Sequence, residues 1–182
     1  MLKHLLGILL IWVFSGLIGC PTGKPARNPM DRRPDDFAVL YEWQEGSLPP
    51  PYYYEYRINL QPSGNGEVTM IPDYPSERVP VWTETFTVQI DTLDELYRMM
   101  IARGLLTKDW QTQSLPSVGG SREFMTVMAH RKRIAIPARV IHEQESQVGA
   151  MYSALRTLVP KAIWDKLNTQ RGQYVKEHQE RR

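Results

Sequence analysis

Residues 52–70 read YYYEYRINLQPSGNGEVTM, and the fold turns on how this stretch is read. Tyr52, Tyr54, Tyr56, Ile58 and Leu60 point one way along an extended chain, while Tyr53, Glu55, Arg57, Asn59 and Gln61 point the other. Successive side chains of a strand face opposite sides, so this alternation predicts a strand buried on one face and wet on the other. Ser63-Gly64-Asn65-Gly66 supplies residues that tolerate positive φ, as a tight hairpin requires, and Val68 and Met70 resume the alternation on the way back. The unit is antiparallel. It leaves Tyr53 and Arg57 on the outer face as candidate binding residues.

Working outward, Phe37, Val39, Tyr41 and Trp43 alternate in the same way and predict an earlier strand. The connector from Glu45 ends in Pro49-Pro50-Pro51. After a proline-punctuated loop at 72–80, Trp82, Phe86, Val88 and Ile90 mark a fourth strand, with Thr83, Thr85 and Thr87 opposite and Glu84 assigned to an exposed end. Thr92-Leu93-Asp94-Glu95 fits a capping box, followed by Leu93, Leu96, Tyr97, Met100 and Ile101 at helical spacing and by Gly104 as the C-terminal cap. Beyond a polar loop holding Val118-Gly119-Gly120-Ser121, the runs 124–129 and 133–136 form a second hairpin around His130-Arg131-Lys132. That turn has no glycine, so its register stays open. Val148, Met151, Tyr152, Leu155 and Leu158 make one helical stripe, and Pro160 opens another with Ile163, Trp164, Leu167 and Tyr174. The order β-β-β-β-α-β-β-α-α predicts an α+β domain over 37–175: an antiparallel sheet of about six strands with helices on one face. Residues 176–182 are polar and are expected to fray.

The chain has 182 residues, with 42% hydrophobic and 23% charged residues, so disorder and a polytopic membrane protein are poor descriptions. Its formal charge of +2 gives no overall reason to expect nucleic acid. One cysteine, Cys20, excludes disulfide frameworks and multi-cysteine metal sites.

Residues 1–20, MLKHLLGILLIWVFSGLIGC, begin with basic Lys3, continue through an apolar stretch from Leu5 to Phe14, and close on small residues before the cysteine. This is the layout of a signal peptide and is too short and glycine-interrupted for a spanning helix. Leu17-Ile18-Gly19-Cys20 resembles the lipobox of bacterial lipoproteins. The resemblance covers only the leader. It implies cleavage after Gly19, lipid on the Cys20 thiol and an acylated new N-terminus, hence a protein anchored in the bacterial envelope. Pro21 is not the aspartate associated in that family with inner-membrane retention, which favours the outer membrane where there is one. With two or three acyl chains such an anchor is stable, whereas one alone is marginal. Residues 20–36, with prolines at 21, 25, 29 and 34 among mixed charges, read as a tether. Removing Lys3 with the leader leaves 21 basic against 20 acidic residues.

Little in the mature chain suggests catalysis. An acylated Cys20 is no nucleophile. There is no G-x-S-x-G around Ser121, and Gly119-Gly120 lacks the spacing and lysine of a phosphate loop. His130, His142 and His178 are scattered, and His142-Glu143-Gln144-Glu145 lacks the second histidine of a zinc helix, so neither metal nor cofactor is expected. Arg131-Lys132-Arg133 is a basic cluster without interleaved aromatics, read as an exposed turn. The body resembles small envelope lipoproteins in organisation. The expectation is a non-enzymatic binding module, held to the membrane through Cys20, that engages an envelope protein or cell-wall component. The alternatives are an envelope enzyme of unrecognised type and an inhibitor of an envelope hydrolase acting through a protruding Leu48–Pro51 loop.

Overall fold

A computed structural model gives the architecture and describes residues 32–113 and 119–180. The leader, Cys20 and the tether as far as residue 31 lie outside the described residues. The protein has an α+β fold whose elements follow the order β1 (Ala38–Gln44), β2 (Glu55–Leu60), β3 (Asn65–Ile71), β4 (Trp82–Thr87), α1 (Ile90–Ala102), β5 (Arg122–Ala129), β6 (Lys132–Ile136), α2 (His142–Leu158) and α3 (Lys161–Glu180). The six strands form one antiparallel sheet in the order β4-β3-β2-β1-β5-β6.

Alternation sorts the side chains. Val39, Tyr41, Ile58, Leu60, Val68, Met70, Met125 and Val127 are buried on one face. All three helices cover that face: Tyr97 of α1 meets Phe37 edge-on at 5.2 Å between ring centres, Tyr152 of α2 meets Tyr41 at 5.2 Å, and Trp164 of α3 meets Tyr56 at 5.0 Å. The opposite face carries Thr83, Thr69, Arg57 and Glu42 in one cross-strand row and Thr85, Glu67 and Asn59 in the next. Such a polar row is what a helix-free sheet face needs to stay wet.

Local structure departs from the sequence expectation at four places. In the β2–β3 hairpin only Gly64 has positive φ, at +86°; Gln61–Gly64 forms a turn closed by the Gly64 N–H on the Gln61 carbonyl at 3.0 Å. Asn65 and Gly66 already belong to β3. Gly66 is bare because the Phe86 ring lies where its Cβ would project. Ile90 starts α1 instead of ending β4, and it is exposed. The helix therefore begins before Thr92, its N-cap is Gln89, and the capping box is not formed. At the other end the sequence reading holds: Gly104 adopts φ +70°, its N–H meets the Ile101 carbonyl at 2.8 Å, and Leu105 N–H reaches Met100 at 2.9 Å, a Schellman close. Glu84 is not at a free end but faces the helices, where Lys166 of α3 meets it at 2.5 Å.

Two boundaries also move. Arg33 donates to Asp94 at 2.6 Å and to the Pro62 carbonyl at 3.1 Å, and Asp36 binds the β5–β6 turn. The last residues assigned to the tether are thus fastened to the body. At the C-terminus α3 includes 176–180, the described part of the polar tail expected over 176–182.

Strand directions give the sheet two distinct ends. β1 leaves the end where the chain enters, together with the β2–β3 and β5–β6 turns, and arrives at Gln44, which pairs with Glu55 and Arg122. The connectors 45–54 and 72–81 lie at this far end. Seven residues of β1 separate the ends by about 20 Å.

Candidate functional site

The proline-rich connector and the 72–81 loop meet at the far end. There β2 starts at Glu55, so the alternation does not extend to Tyr52, which is exposed instead of buried. Tyr56 is buried and Tyr54 half-buried, as a core-facing parity requires. Tyr53 does point to the helix-free side, yet it is only 7% exposed. Tyr74 covers it, with ring centres 4.0 Å apart and planes at 10°. Tyr53 is thus not the exposed platform expected of it; Tyr74, stacked on it, is exposed in its place, and Tyr52 is exposed on the connector. Arg57 is exposed, and its guanidinium lies 3.4 Å from Glu42 and 3.5 Å from Glu55.

Polar bonds hold the exposed aromatics. Tyr74 Oη donates to the Leu48 carbonyl at 2.9 Å and joins the two loops. The Tyr74 N–H donates to Asp73 Oδ1 at 2.7 Å, and Asp73 also accepts from Tyr174 of α3 at 3.4 Å. Arg171 donates to the Tyr52 carbonyl at 3.1 Å while its guanidinium sits 3.8 Å over the Tyr54 ring. Gln179 donates to Tyr52 Oη at 2.9 Å. Beneath them Tyr53 Oη donates to Glu55 Oε2 at 2.8 Å. Burial, and then this bond to a carboxylate, push the Tyr53 phenol well above its usual range. The result is a surface of Leu48, Tyr52, Tyr74 and the neighbouring prolines whose rings are already fixed. Such rings contribute contact area with little further loss of rotamer freedom on binding.

The perturbed tyrosines of the core face inward. Tyr41 Oη donates to Glu123 Oε1 at 2.9 Å, and Arg156 of α2 donates to both, at 2.6 Å and 2.5 Å. Burial raises the phenols of Tyr41, Tyr56 and Tyr152. This cluster lies between sheet and helix, so it fastens α2 and has the character of an ion-pair network. Trp43 stacks on Tyr56 at 5.2 Å and meets Tyr54 at a tilt at 4.6 Å, and with Trp164 they seat α3.

The remaining candidates do not converge. His142 opens α2 instead of lying in a connector, where its exposed ring meets Glu145 at 3.0 Å. His178 stacks on Tyr174 at 3.9 Å. His130 sits at the near end and meets Tyr97 Oη at 2.8 Å. Among the described residues no three His, Cys, Asp or Glu side chains gather to hold an ion, and no helix is long and apolar enough to cross a membrane. Gly119 and Gly120 both have φ +85°, and Gly46 packs against the Gly120 backbone, so Gly-Gly-Ser belongs to a loop. The sequence reading missed Tyr74, although a tyrosine flanked by Asp73 and Pro75 in a loop was a visible signal. No known protein family matches the chain, and no curated protein matches it either.

Proposed function

We propose that the chain is a lipid-anchored bacterial envelope protein whose folded body is a non-enzymatic binding module. In this reading Cys20 carries the lipid and the Leu48, Tyr52 and Tyr74 surface engages an envelope protein or cell-wall component. The observation that carries it is directional: the chain enters the domain at one end of the sheet, and the exposed aromatic surface lies at the other. A lipid at Cys20 would hold the entry end toward the bilayer and leave the aromatics facing away. Confinement to one surface raises the effective concentration of the module near other anchored partners.

The anchor is tested by labelling cells with a fatty acid analogue. Label should enter the wild type and be absent from Cys20→Ala, and the mature protein should lack Met1–Gly19. Equal labelling of both would remove the anchor from the reading. Inhibition of an envelope hydrolase is a second reading, favoured by one feature: Leu48, Pro49 and Pro50 are exposed while Pro51 is buried, so the loop stands out on a fixed base. Inhibition by the purified protein in a cell-wall hydrolase assay, lost in Leu48→Ala, would select it.

A further inference from the structure

The β5–β6 turn brings a basic cluster to the place where the chain enters the domain. His130 and Arg131 form its two-residue tip with φ of 53° and 61°. Both backbone N–H groups donate to the Asp36 carboxylate, at 2.9 Å and 2.5 Å. Asp36 lies two residues before β1. The fastening ties the basic tip to the root of the tether, which sequence spacing alone does not disclose, since the two are 95 residues apart.

Arg131, Lys132 and Arg133 are exposed, and among the described residues no carboxylate pairs with any of them. Two acids at this end are committed elsewhere: Asp36 to the turn backbone and Asp94 to Arg33. Asp35 and Arg32 are both exposed and offset one another. Register fans the three cations outward. Arg131 is at the tip, Lys132 pairs with Ala129 on the helix side, and Arg133 pairs with Met128 on the helix-free side of the edge strand.

We infer that this turn docks on the anionic headgroups of the membrane that carries the chain. The inference rests on the lipid at Cys20. Residues 21–31 separate Cys20 from the first described residue, and eleven residues reach at most about 40 Å, so residue 32 stays within that distance of the bilayer and the turn, fastened to Asp36 close by, can come down onto the surface. Lysines and arginines that come within about a Debye length of negative lipid are drawn to it. The consequence is orientation: a tether alone lets the body tumble, whereas a second, electrostatic contact beside its root keeps the aromatic end pointing outward.

The test uses the mature lipidated protein on vesicles of phosphatidylcholine, or of phosphatidylcholine and phosphatidylglycerol in equal parts. A water-soluble acetylating reagent reads lysine accessibility by mass spectrometry. Lys132 should be acetylated several-fold more slowly on the anionic vesicles, and the difference should vanish in high salt and in the R131S/R133S double variant. Lys176, near the far end on α3, should react equally on both. Protein that floats with both vesicles but shows equal Lys132 acetylation would overturn the docking and leave the anchor standing. Protein without lipid that floats with neither would overturn both. Protection of Lys132 on neutral vesicles as well would replace the headgroup contact with a non-ionic one.

Discussion

Tyr53 shows how a residue can obey the strand alternation and still be buried. It points away from the helices, as its parity demands, but Tyr74 folds over it from a separate loop and closes it off from water. Below it, Glu55 is 5% exposed and accepts a hydrogen bond from the phenol at 2.8 Å. Tyr53→Phe keeps the stack and removes the donor, leaving a buried carboxylate short of a partner, at a cost of about 1–3 kcal/mol. Tyr53→Ala also removes the ring and should cost about 3–5 kcal/mol. Ile58, fully buried on the other face, should cost about 2–5 kcal/mol as Ile58→Ala. Arg57→Ala, at an exposed position but 3.5 Å from the Glu55 carboxylate, should cost less than Tyr53→Ala, within about 1 kcal/mol. Denaturant titration of the four variants measures all of this; a tolerant Tyr53→Ala would mean that Tyr74 does not cover the ring in solution.

At the scale of elements, the β5–β6 hairpin depends on a residue outside it. Left-handed backbone costs a non-glycine residue roughly 1–2 kcal/mol, and this turn has two such residues in succession. Asp36 offsets the cost by accepting both N–H groups. Those bonds, Arg131 N–H first, hold its carboxyl below the ordinary value of 3.8. A lowered carboxylate contributes stability that is present above pH 3.8 and is lost as the pH falls below it through the folded-state value. Asp36→Asn should therefore lower stability at neutral pH and flatten the acid side of the stability profile. Arg131→Gly should recover part of the loss, by about 1 kcal/mol. Thermal melts across pH test both. The hairpin also marks what was legible in sequence. Strands β1 to β3, the Gly104 cap and the stripe of α2 followed from periodicity and local chemistry, because each is decided within a few residues. The capping box at Thr92 failed because Ile90 joined the helix instead of the sheet, moving the start upstream. The Asp36 contact, the cover over Tyr53 and the role of Tyr74 were not legible, since each joins segments far apart in the chain.

For the whole molecule, the functional consequence is polarity along the strands. The entry end holds Asp36, the β5–β6 turn and Ser63 of the β2–β3 turn, and the far end holds Leu48, Tyr52 and Tyr74. If the aromatic end is the binding surface, a photoreactive amino acid at Leu48 should capture a partner in intact cells, whereas the same group at exposed Ser63, about 20 Å away along the sheet, should not. Tyr74→Ala is a poor follow-up because it would also uncover Tyr53. Leu48→Ala is cleaner: its side chain is 41% exposed, and its carbonyl, which accepts from Tyr74, remains. Truncating a hot-spot contact costs over about 1 kcal/mol, so with Leu48 as the anchor of the interface, affinity for the captured partner should fall by several-fold to about tenfold while the melting temperature stays put. Capture from Ser63 but not from Leu48 would place the binding surface at the entry end and overturn the proposed orientation. Equal affinity of wild type and Leu48→Ala for a partner captured at Leu48 would reduce the loop to a bystander and shift the contact to Tyr52 and Tyr74, which single Tyr52→Ala binding measurements would then decide.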